Sequence, residues 1–345
     1  MPLPAHPSAA PVKGAAPELD LTVEPGRPPI VTARPGSRSP AAWAALHRGA
    51  LDAAVLRHGC VLVRGLAVRD ADEAAAVSGA LIDELTGDHE PFAPRRTLGA
   101  GLLSPNEWPS EQPMCMHHEL SYAPSFPSRL VHCCLEAPHE GGATALADGA
   151  AVLRALPARL RSRAEAVGWE LTRNHNGLVG MDWRDTFGTD DRAAVERHCA
   201  AHGIDWRWQG ADGLTTTRRS AAVLRHPVSG VPVWFNQLAF LNEWTMDPGV
   251  RSFLVEEFGE DGLPYNTRFG DGGPLDRATV DLINEVYAAH TVREPWREGD
   301  VLVVDNLRTA HSREPFRGPR TLTVALGNPV ERLTNGSELC RPRAV

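Results

Sequence analysis

The sequence predicts an α+β fold that is mainly β: a double-stranded β-helix, or jelly-roll, core with flanking and inserted helices. Short apolar strands occur near both ends of the core, helical patterns precede them and fill the middle, and no internal repeat is present. We expect residues 1–39 to form a Pro- and Ala-rich arm. Residues 40–345 are expected to form a single domain with a helical insert at about 149–292.

The composition is that of an ordinary globular protein. The chain has 345 residues, of which 42% are hydrophobic and 23% charged, and its formal net charge is -8. No run of Lys and Arg forms a basic stripe, so nucleic acid is not an expected partner. No stretch approaches the roughly 18 apolar residues of a membrane span, and the N-terminus lacks the layout of a signal peptide. We therefore expect a cytoplasmic protein, whose oligomeric state the sequence leaves open.

The cysteines show no C-x-x-C pair and no zinc-ribbon spacing, so free buried thiols are expected. Two of them are adjacent and would point to opposite faces of a strand. The six are Cys60, Cys115, Cys133, Cys134, Cys199 and Cys340.

The first part of the domain alternates helix and strand. An Ala- and Leu-rich pattern predicts a helix over 40–57, and the apolar run at 60–66 predicts a buried strand. A second helix is predicted over 69–86, with Asp70 or Asp72 near its start as the cap.

A long loop and a series of strands and helices follow. Residues 88–113 are rich in turn formers, and this loop either contributes substrate contacts or is a plain surface connection. The remaining predictions are strands at 129–136 and 144–148, helices over 149–168 with a break at Pro157, an irregular segment at 172–188, a helix at 190–202, a hairpin at 221–235, a partly helical stretch at 242–263, a helix at 276–292, and strands at 299–306 and 320–328.

His117 and Glu119 form a candidate metal-binding pair. Because strand side chains alternate between faces, an extended segment would direct both toward one space and turn His118 away. They would be two ligands of a facial 2-His-1-carboxylate iron site. An H-x-[DE] pair alone is weak evidence, since roughly two are expected by chance in such a chain. His311, which follows a buried strand ending in Asp305–Asn306, is the candidate third ligand.

Four segments, HHELSY, GGATALAD, VPVWFNQLAF and GDVLVVDNLRTAHSREPFRGPR, resemble the taurine-dioxygenase-like family of Fe(II)/2-oxoglutarate oxygenases. They are most similar to its antibiotic-biosynthesis branch, the syringomycin-hydroxylase-like and clavaminate-synthase-like members. The resemblance covers about Pro40 to Asn328, with the motifs in the same order. It implies that His117, Glu119 and His311 bind Fe(II), and that 2-oxoglutarate and O2 are cosubstrates.

The same resemblance implies a 2-oxoglutarate site. Thr144 would hydrogen-bond a carboxylate of the cosubstrate, and Arg320 would pair with its distal C5 carboxylate, for which a planar guanidinium is well suited. Arg313 and Arg317 are the neighbouring alternatives. Arg320 is preferred because it opens a strand and shares one face with the alternate apolar residues, whereas Arg317 lies in a Pro/Gly loop and is expected to be solvated.

The expected reaction is oxidation, most simply hydroxylation, of an unactivated C–H bond. Many relatives carry Asp at the position of Glu119, and halogenating relatives carry a small residue there, so halogenation is disfavoured. The resemblance implies a small-molecule substrate from specialised metabolism: an amino acid, an amino-acid derivative or a carrier-tethered aminoacyl group. Desaturation, epoxidation and ring closure use the same cofactors and stay open as alternatives.

Four residues lie in segments expected to rim the substrate pocket: Asn106, Tyr122, Asn236 and Arg313. For Tyr122 and Asn236, a structural hydrogen-bonding role is equally compatible with the sequence. A zinc hydrolase and a non-catalytic metal-binding jelly-roll are the rival functions. A zinc hydrolase would not need Thr144 with Arg320, and this chain lacks the H-E-x-x-H motif. A non-catalytic jelly-roll would have lost one of the three metal ligands, all of which are present here.

Overall fold

A computed structural model describes residues 18–87, 90–178, 180–332 and 339–340. Its helices are α1 (Pro40–His58), α2 (Ala71–Leu81), α3 (Gly149–Ala155), α4 (Ala158–Val167), α5 (Trp183–Phe187), α6 (Arg192–Ala201), α7 (Pro248–Phe258) and α8 (Arg277–Ala289), with short 3-10 turns at Glu243–Thr245 and Glu260–Gly262. None of the helices in these ranges has the length and apolar character of a membrane span.

The strands are β1 (Leu21–Thr22), β2 (Ile30–Thr32), β3 (Cys60–Arg64), β4 (Thr97–Gly99), β5 (Leu102–Leu103), β6 (Met114–His117), β7 (Ser125–Glu136), β8 (Glu140–Gly141), β9 (Thr144–Asp148), β10 (Trp169–His175), β11 (Ile204–Gln209), β12 (Gly213–Ser220), β13 (Val223–Arg225), β14 (Pro232–Trp234), β15 (Tyr265–Phe269), β16 (Thr291–Val292), β17 (Val301–Asp305), β18 (Thr309–Arg313), β19 (Phe316–Arg317), β20 (Thr321–Arg332) and β21 (Leu339–Cys340).

Two of the sheets enclose the main core. The larger has nine strands in the order β1-β2-β3-β17-β7-β20-β5-β4, with β21 beside β20, and the smaller has the order β16-β9-β18-β6. Apolar side chains from both sheets belong to one buried cluster, including Leu130, Leu302 and Val324 from the large sheet and Leu146 and Ala310 from the small one. The fold is therefore mixed and mainly sheet, with a core between two sheets.

The two N-terminal helices cover the outer face of the large sheet. Side chains of β3 and β7 alternate between the two cores: Val61 and Cys133 pack under the helices, while Leu62 and Cys134 face the small sheet. Both faces of these strands are thus buried, which explains their continuous apolar runs. The expectation that the adjacent cysteines point to opposite faces is confirmed, and the cysteines described in the structure are free.

Local signals fix the ends of these helices. Ser39 caps α1 by accepting a hydrogen bond from the amide of Ala42, and Gly59 ends it with a φ of 83°. A Cβ on Gly59 would lie 2.3 Å from Oγ1 of Thr309, so glycine is required there. Asp70, one of the two predicted caps, accepts from the amide of Glu73 at 2.8 Å and starts α2.

The described part of the predicted arm, residues 18–39, instead supplies β1 and β2 to the large sheet. Strand β2 runs parallel to β3, with Val31 beside Val63. The sequence shows little periodicity here because the strands have only two and three residues.

The middle of the chain contains more sheet than the predicted helical insert. Strands β11, β12, β10 and β15 form a four-stranded antiparallel sheet, and the first residues of the segment expected to be irregular, 172–175, are the second half of β10. Apolar alternation does not reveal β10 because it buries polar side chains that are paired: Glu170 with Arg219 at 2.8 Å, and His175 with Thr216 at 3.0 Å. The predicted hairpin at 221–235 is confirmed, since β13 pairs with β14.

Candidate metal centre

Two neighbouring strands of the small sheet bring the predicted metal ligands together. His117 is the last residue of β6 and pairs directly with His311 of β18, while Glu119 follows where the chain leaves the strand. One ligand atom from each residue lies within 4.8 Å of the other two. All three residues are buried, with relative exposures of 1% for His117, 2% for Glu119 and 7% for His311. Two imidazoles and one carboxylate converging in this way suit a facial iron site.

The orientation of the His117 ring leaves one nitrogen for a metal. Its Nδ1 lies 2.9 Å from the carbonyl oxygen of Cys115 and donates to it, so Nε2 carries the free lone pair. Phe240 stacks on the ring at a centroid distance of 4.8 Å. Burial, and then the charge of His311, lower the pKa of His117 to about 3. The ring is therefore neutral, which is the form that binds metal.

The spacing of His311 and Glu119 also fits a shared ion. Nε2 of His311 lies 3.7 Å from Oε2 of Glu119, which is too far for a hydrogen bond and leaves a gap that a cation bound to both would bridge. A buried carboxylate facing two imidazoles is a donor set that attracts a divalent cation. The residues present thus fit the metal that their pattern predicts.

Asn306 holds the main chain of Glu119 in place. Its Oδ1 accepts from the amide of Glu119 at 2.7 Å, and its Nδ2 donates to the carbonyl oxygens of Glu119 at 3.0 Å and Pro127 at 2.7 Å. The side chain is fully buried. Sequence reasoning gave Asn306 no role, although its place directly after the buried β17 was a usable signal.

Arg95 contacts the carboxylate of Glu119 directly. Nη2 of Arg95 lies 2.8 Å from Oε2 of Glu119, and Nε donates to Oδ1 of Asn106. Burial opposes ionisation of Glu119, but Arg95, together with His311 and His117, outweighs it, so the pKa of that carboxyl lies well below its usual range. Sequence reasoning missed Arg95, because it lies in a turn-rich loop outside every motif.

His118 faces away from the ligands, as the strand alternation predicted. Its Nδ1 lies 2.7 Å from the carbonyl oxygen of Asn306, and its Nε2 lies 2.9 Å from that of Trp234. These contacts tie the metal-binding segment to β14 and to the end of β17.

The predicted cosubstrate residues line the same pocket as the metal ligands. Thr144 opens β9, and its Oγ1 accepts from Nε1 of Trp296 at 3.3 Å. Arg320 precedes β20, and its Nε donates to the carbonyl oxygen of Gly142 at 3.1 Å. Burial lowers the pKa of Arg320 to about 10, so it stays charged at neutral pH. Arg317, by contrast, has an 85% exposed side chain.

The glycine pair before Thr144 allows Arg320 to approach closely. Gly142 has a φ of 68°, and a Cβ there would lie 3.2 Å from Cδ of Arg320 and 2.9 Å from Cβ of Phe316. The GGAT turn therefore needs glycine for both its backbone conformation and its packing.

Two of the predicted substrate residues, Asn106 and Arg313, line the pocket. The guanidinium of Arg313 is already bonded to main-chain oxygens of the preceding loop, at 3.0 Å for Trp108 and 2.6 Å for Gln112. Arg313 thus fastens this loop over the pocket. Asn106 is held by Arg95.

The other two predicted substrate residues, Tyr122 and Asn236, are not among the residues that line this pocket. The hydroxyl of Tyr122 donates to the carbonyl oxygen of Glu90 at 2.9 Å. Asn236 donates to the carbonyl oxygen of Ala222 at 2.9 Å and accepts from the amide of Leu238 at 3.0 Å. Both side chains are buried and bond to main chain, so the structural role is the one the structure gives them.

Comparison with known proteins places these residues in a family context. Residues 22–326 match the model of the taurine catabolism dioxygenase TauD, TfdA family. The chain is 28% identical over 280 residues to the dapdiamide synthesis protein DdaC of Enterobacter agglomerans, covering 81% of this chain and 85% of DdaC. It is 28% identical over 290 residues to a clavaminate synthase-like protein of Arabidopsis thaliana, covering 80% of this chain and 83% of that protein.

A solved structure shares the fold. PvcB of Pseudomonas aeruginosa superposes with a TM-score of 0.53 at 16% identity, covering 94% of this chain and 95% of PvcB. A second PvcB structure, described as an Fe, alpha-ketoglutarate dependent oxygenase from an isonitrile synthetic pathway, superposes with a TM-score of 0.51 at 15% identity, covering 94% of this chain and 96% of that chain.

Proposed function

Since the chain belongs to the taurine catabolism dioxygenase TauD, TfdA family, whose members depend on iron and 2-oxoglutarate, we propose that His117, Glu119 and His311 hold the iron of this dioxygenase. The observation that carries the proposal is the convergence of these three buried ligand atoms within 4.8 Å. Thr144 and Arg320 lie in the same pocket and are proposed to bind the two carboxylates of 2-oxoglutarate.

Fe(II) with 2-oxoglutarate and O2 supplies the oxidant for an unactivated C–H bond, and the protein supplies binding, orientation and electrostatics. The imidazoles of His117 and His311 and the ionised carboxylate of Glu119 would supply three ligands to the iron. Arg320 clamps the distal carboxylate of the cosubstrate with a planar guanidinium. The apolar side chains of Leu322 and Val324 form part of the pocket wall and exclude water from it.

We also infer that the two sheets around the main core are the two halves of a double-stranded β-helix. Their antiparallel pairing and shared apolar cluster support this reading. The oxygenase domain is proposed to be a single unit, with residues 149–292 inserted into it.

The proposed substrate is a small molecule related to amino acids, and hydroxylation is the proposed reaction. DdaC, whose name refers to dapdiamide synthesis, supports a role in specialised biosynthesis. Arg95 links the metal pocket to a second cavity, which we propose as the substrate site; that cavity is lined in part by Leu85, Leu103, Met181 and Asp185. Its mixture of apolar walls and opposite charges suits a substrate carrying both polar and apolar groups.

Anaerobic titration tests the cofactor assignment. Adding Fe(II) and 2-oxoglutarate together should produce a weak visible charge-transfer band that neither produces alone. Glu119→Ala should lose this band and the release of succinate, whereas the control Glu140→Ala, at an exposed carboxylate that does not line the pocket, should keep both. If wild-type protein shows no band and binds zinc tightly at the same residues, the zinc-hydrolase reading replaces the oxygenase.

A substrate screen reading succinate tests the second cavity. Free amino acids and carrier-tethered aminoacyl groups would form separate arms of the screen. Met181→Trp should fill the cavity and reduce substrate-stimulated succinate release, while the Fe(II)/2-oxoglutarate band stays unchanged. Full stimulation in this variant would place the substrate elsewhere.

A further inference from the structure

His132 is a polar side chain within the metal pocket to which the proposed function gives no role. It lies on β7, is 6% exposed and lines the pocket with the three metal ligands. Its Nε2 is buried and has no hydrogen-bond partner in the described part of the chain. A buried donor or acceptor without a partner is costly, so a ligand that satisfies this atom is expected to bind in the pocket.

The position of His132 relates it to both ends of the proposed cosubstrate site. Its ring lies 5.9 Å from the ring of His311, nearly edge-on, which places it beside the metal ligands. Across the sheet it pairs with Val324, four residues after Arg320 on the same inner face. His132 therefore lies toward the metal end of the pocket, and Arg320 marks the distal end.

The residues that flank His132 across the sheet supply no side-chain hydrogen-bonding group. Its neighbours on the adjacent strands, Leu302 and Val324, are apolar. It is not a fourth metal ligand in this arrangement, because the ligand atoms found within 4.8 Å of one another come from His117, Glu119 and His311 in the described ranges. A histidine ring can carry its proton on Nε2, which then acts as a hydrogen-bond donor.

We propose that His132 is a positioning residue for the cosubstrate, and that its Nε2–H donates a hydrogen bond to a carboxylate oxygen at the 2-oxo acid end of 2-oxoglutarate. This inference rests on the proposed function. A carboxylate oxygen selects the tautomer with the proton on Nε2, and the bond to a charged acceptor is stronger than one to a neutral group. His132 thus fixes one end of the cosubstrate while Arg320 holds the other.

Binding measurements without turnover test this role. The wild type, His132→Leu, His132→Gln and Arg320→Ala would be loaded anaerobically with Mn(II) and titrated calorimetrically with 2-oxoglutarate and with 2-oxopentanoate, which lacks the distal carboxylate. His132→Leu should weaken both ligands tenfold or more, and His132→Gln should recover most of the loss because it restores a donor. Arg320→Ala should weaken only 2-oxoglutarate.

Several results would overturn the inference. The inference is wrong if His132→Leu binds both 2-oxo acids as tightly as the wild type. It is also wrong if His132→Gln loses as much affinity for them as His132→Leu does. Since Nε2 has no partner among the described residues, His132→Leu should melt no lower than the wild type. If this variant fails to fold, His132→Phe and His132→Gln decide between a donor and a side chain that only fills space. Failure of the wild type itself to bind 2-oxoglutarate with Mn(II) would instead contradict the proposed function.

Discussion

Replacing Asn306 with alanine should loosen the metal-binding carboxylate without touching it. The fully buried Asn306 side chain makes three hydrogen bonds to main chain, two of them to Glu119 and one to Pro127. Truncation leaves these three buried main-chain groups unsatisfied, at about 1–3 kcal/mol each, so the free energy of unfolding should fall by at least about 3 kcal/mol. Glu119 would then be free to move relative to His117 and His311.

Mn(II) affinity is the decisive measurement. Removing a residue that supports a metal ligand typically weakens metal binding about 10–100-fold. Equilibrium dialysis or electron paramagnetic resonance would give the Mn(II) dissociation constant of Asn306→Ala, measured below its melting temperature and with circular dichroism confirming the fold. Urea denaturation of the metal-free protein would give the loss of stability separately.

Asn236→Ala provides a matched control. Asn236 is also buried, but it bonds the main chain of Ala222 and Leu238, neither of which is a proposed metal ligand. The Asn236→Ala protein should be destabilised to a similar degree as Asn306→Ala but should keep the Mn(II) affinity of the wild type. The reasoning is refuted if the folded Asn306→Ala protein binds Mn(II) as tightly as the wild type, or if both variants lose affinity equally.

Three further predictions concern charge in the pocket. Arg320→Ala should raise the 2-oxoglutarate concentration needed for half-maximal succinate release at least tenfold, whereas Arg317→Ala, at an exposed side chain, should leave it unchanged. Metal-free protein should lose stability as the pH falls from about 6.5 toward 3. Over this range His117 and His132 bind protons in the unfolded chain but not in the folded protein, where their pKa values are about 3. Each residue lowers the free energy of unfolding by roughly 1 kcal/mol per pH unit, so the urea midpoint of His132→Leu should depend less steeply on pH. Arg95→Leu should bind Mn(II) more tightly than the wild type when 2-oxoglutarate is absent, as dialysis would show.

The metal ligands were predictable because their signals are local. His117 and Glu119 are two residues apart at the end of a strand, and a buried apolar strand precedes His311. The supporting residues were not predictable in this way, because Arg95, Asn306 and His132 reach the site through contacts between distant segments. Their side-chain types are common, and only the pairing of strands brings them together.

Apolar alternation likewise predicted the core strands and missed the inserted sheet. Strand β17 buries every residue of its apolar run, so its pattern is visible in the sequence. Strand β10 buries Glu170, Arg173 and His175 instead, and their partners lie on other elements. A buried strand whose polar side chains are hydrogen-bonded to other elements does not show the apolar alternation from which strands are predicted.

The charges around the ligands favour binding of metal and cosubstrate together. Glu119 carries a negative charge that Arg95 already neutralises at 2.8 Å, and Arg320 adds a positive charge to the same pocket. A divalent cation alone would therefore add two positive charges beside two guanidinium groups in a poorly solvated space, which weakens its attraction to the three ligands. The dianion of 2-oxoglutarate restores the charge of the metal-free pocket. Each of the two ligands should therefore strengthen the binding of the other, and by linkage the factor must be the same in both directions.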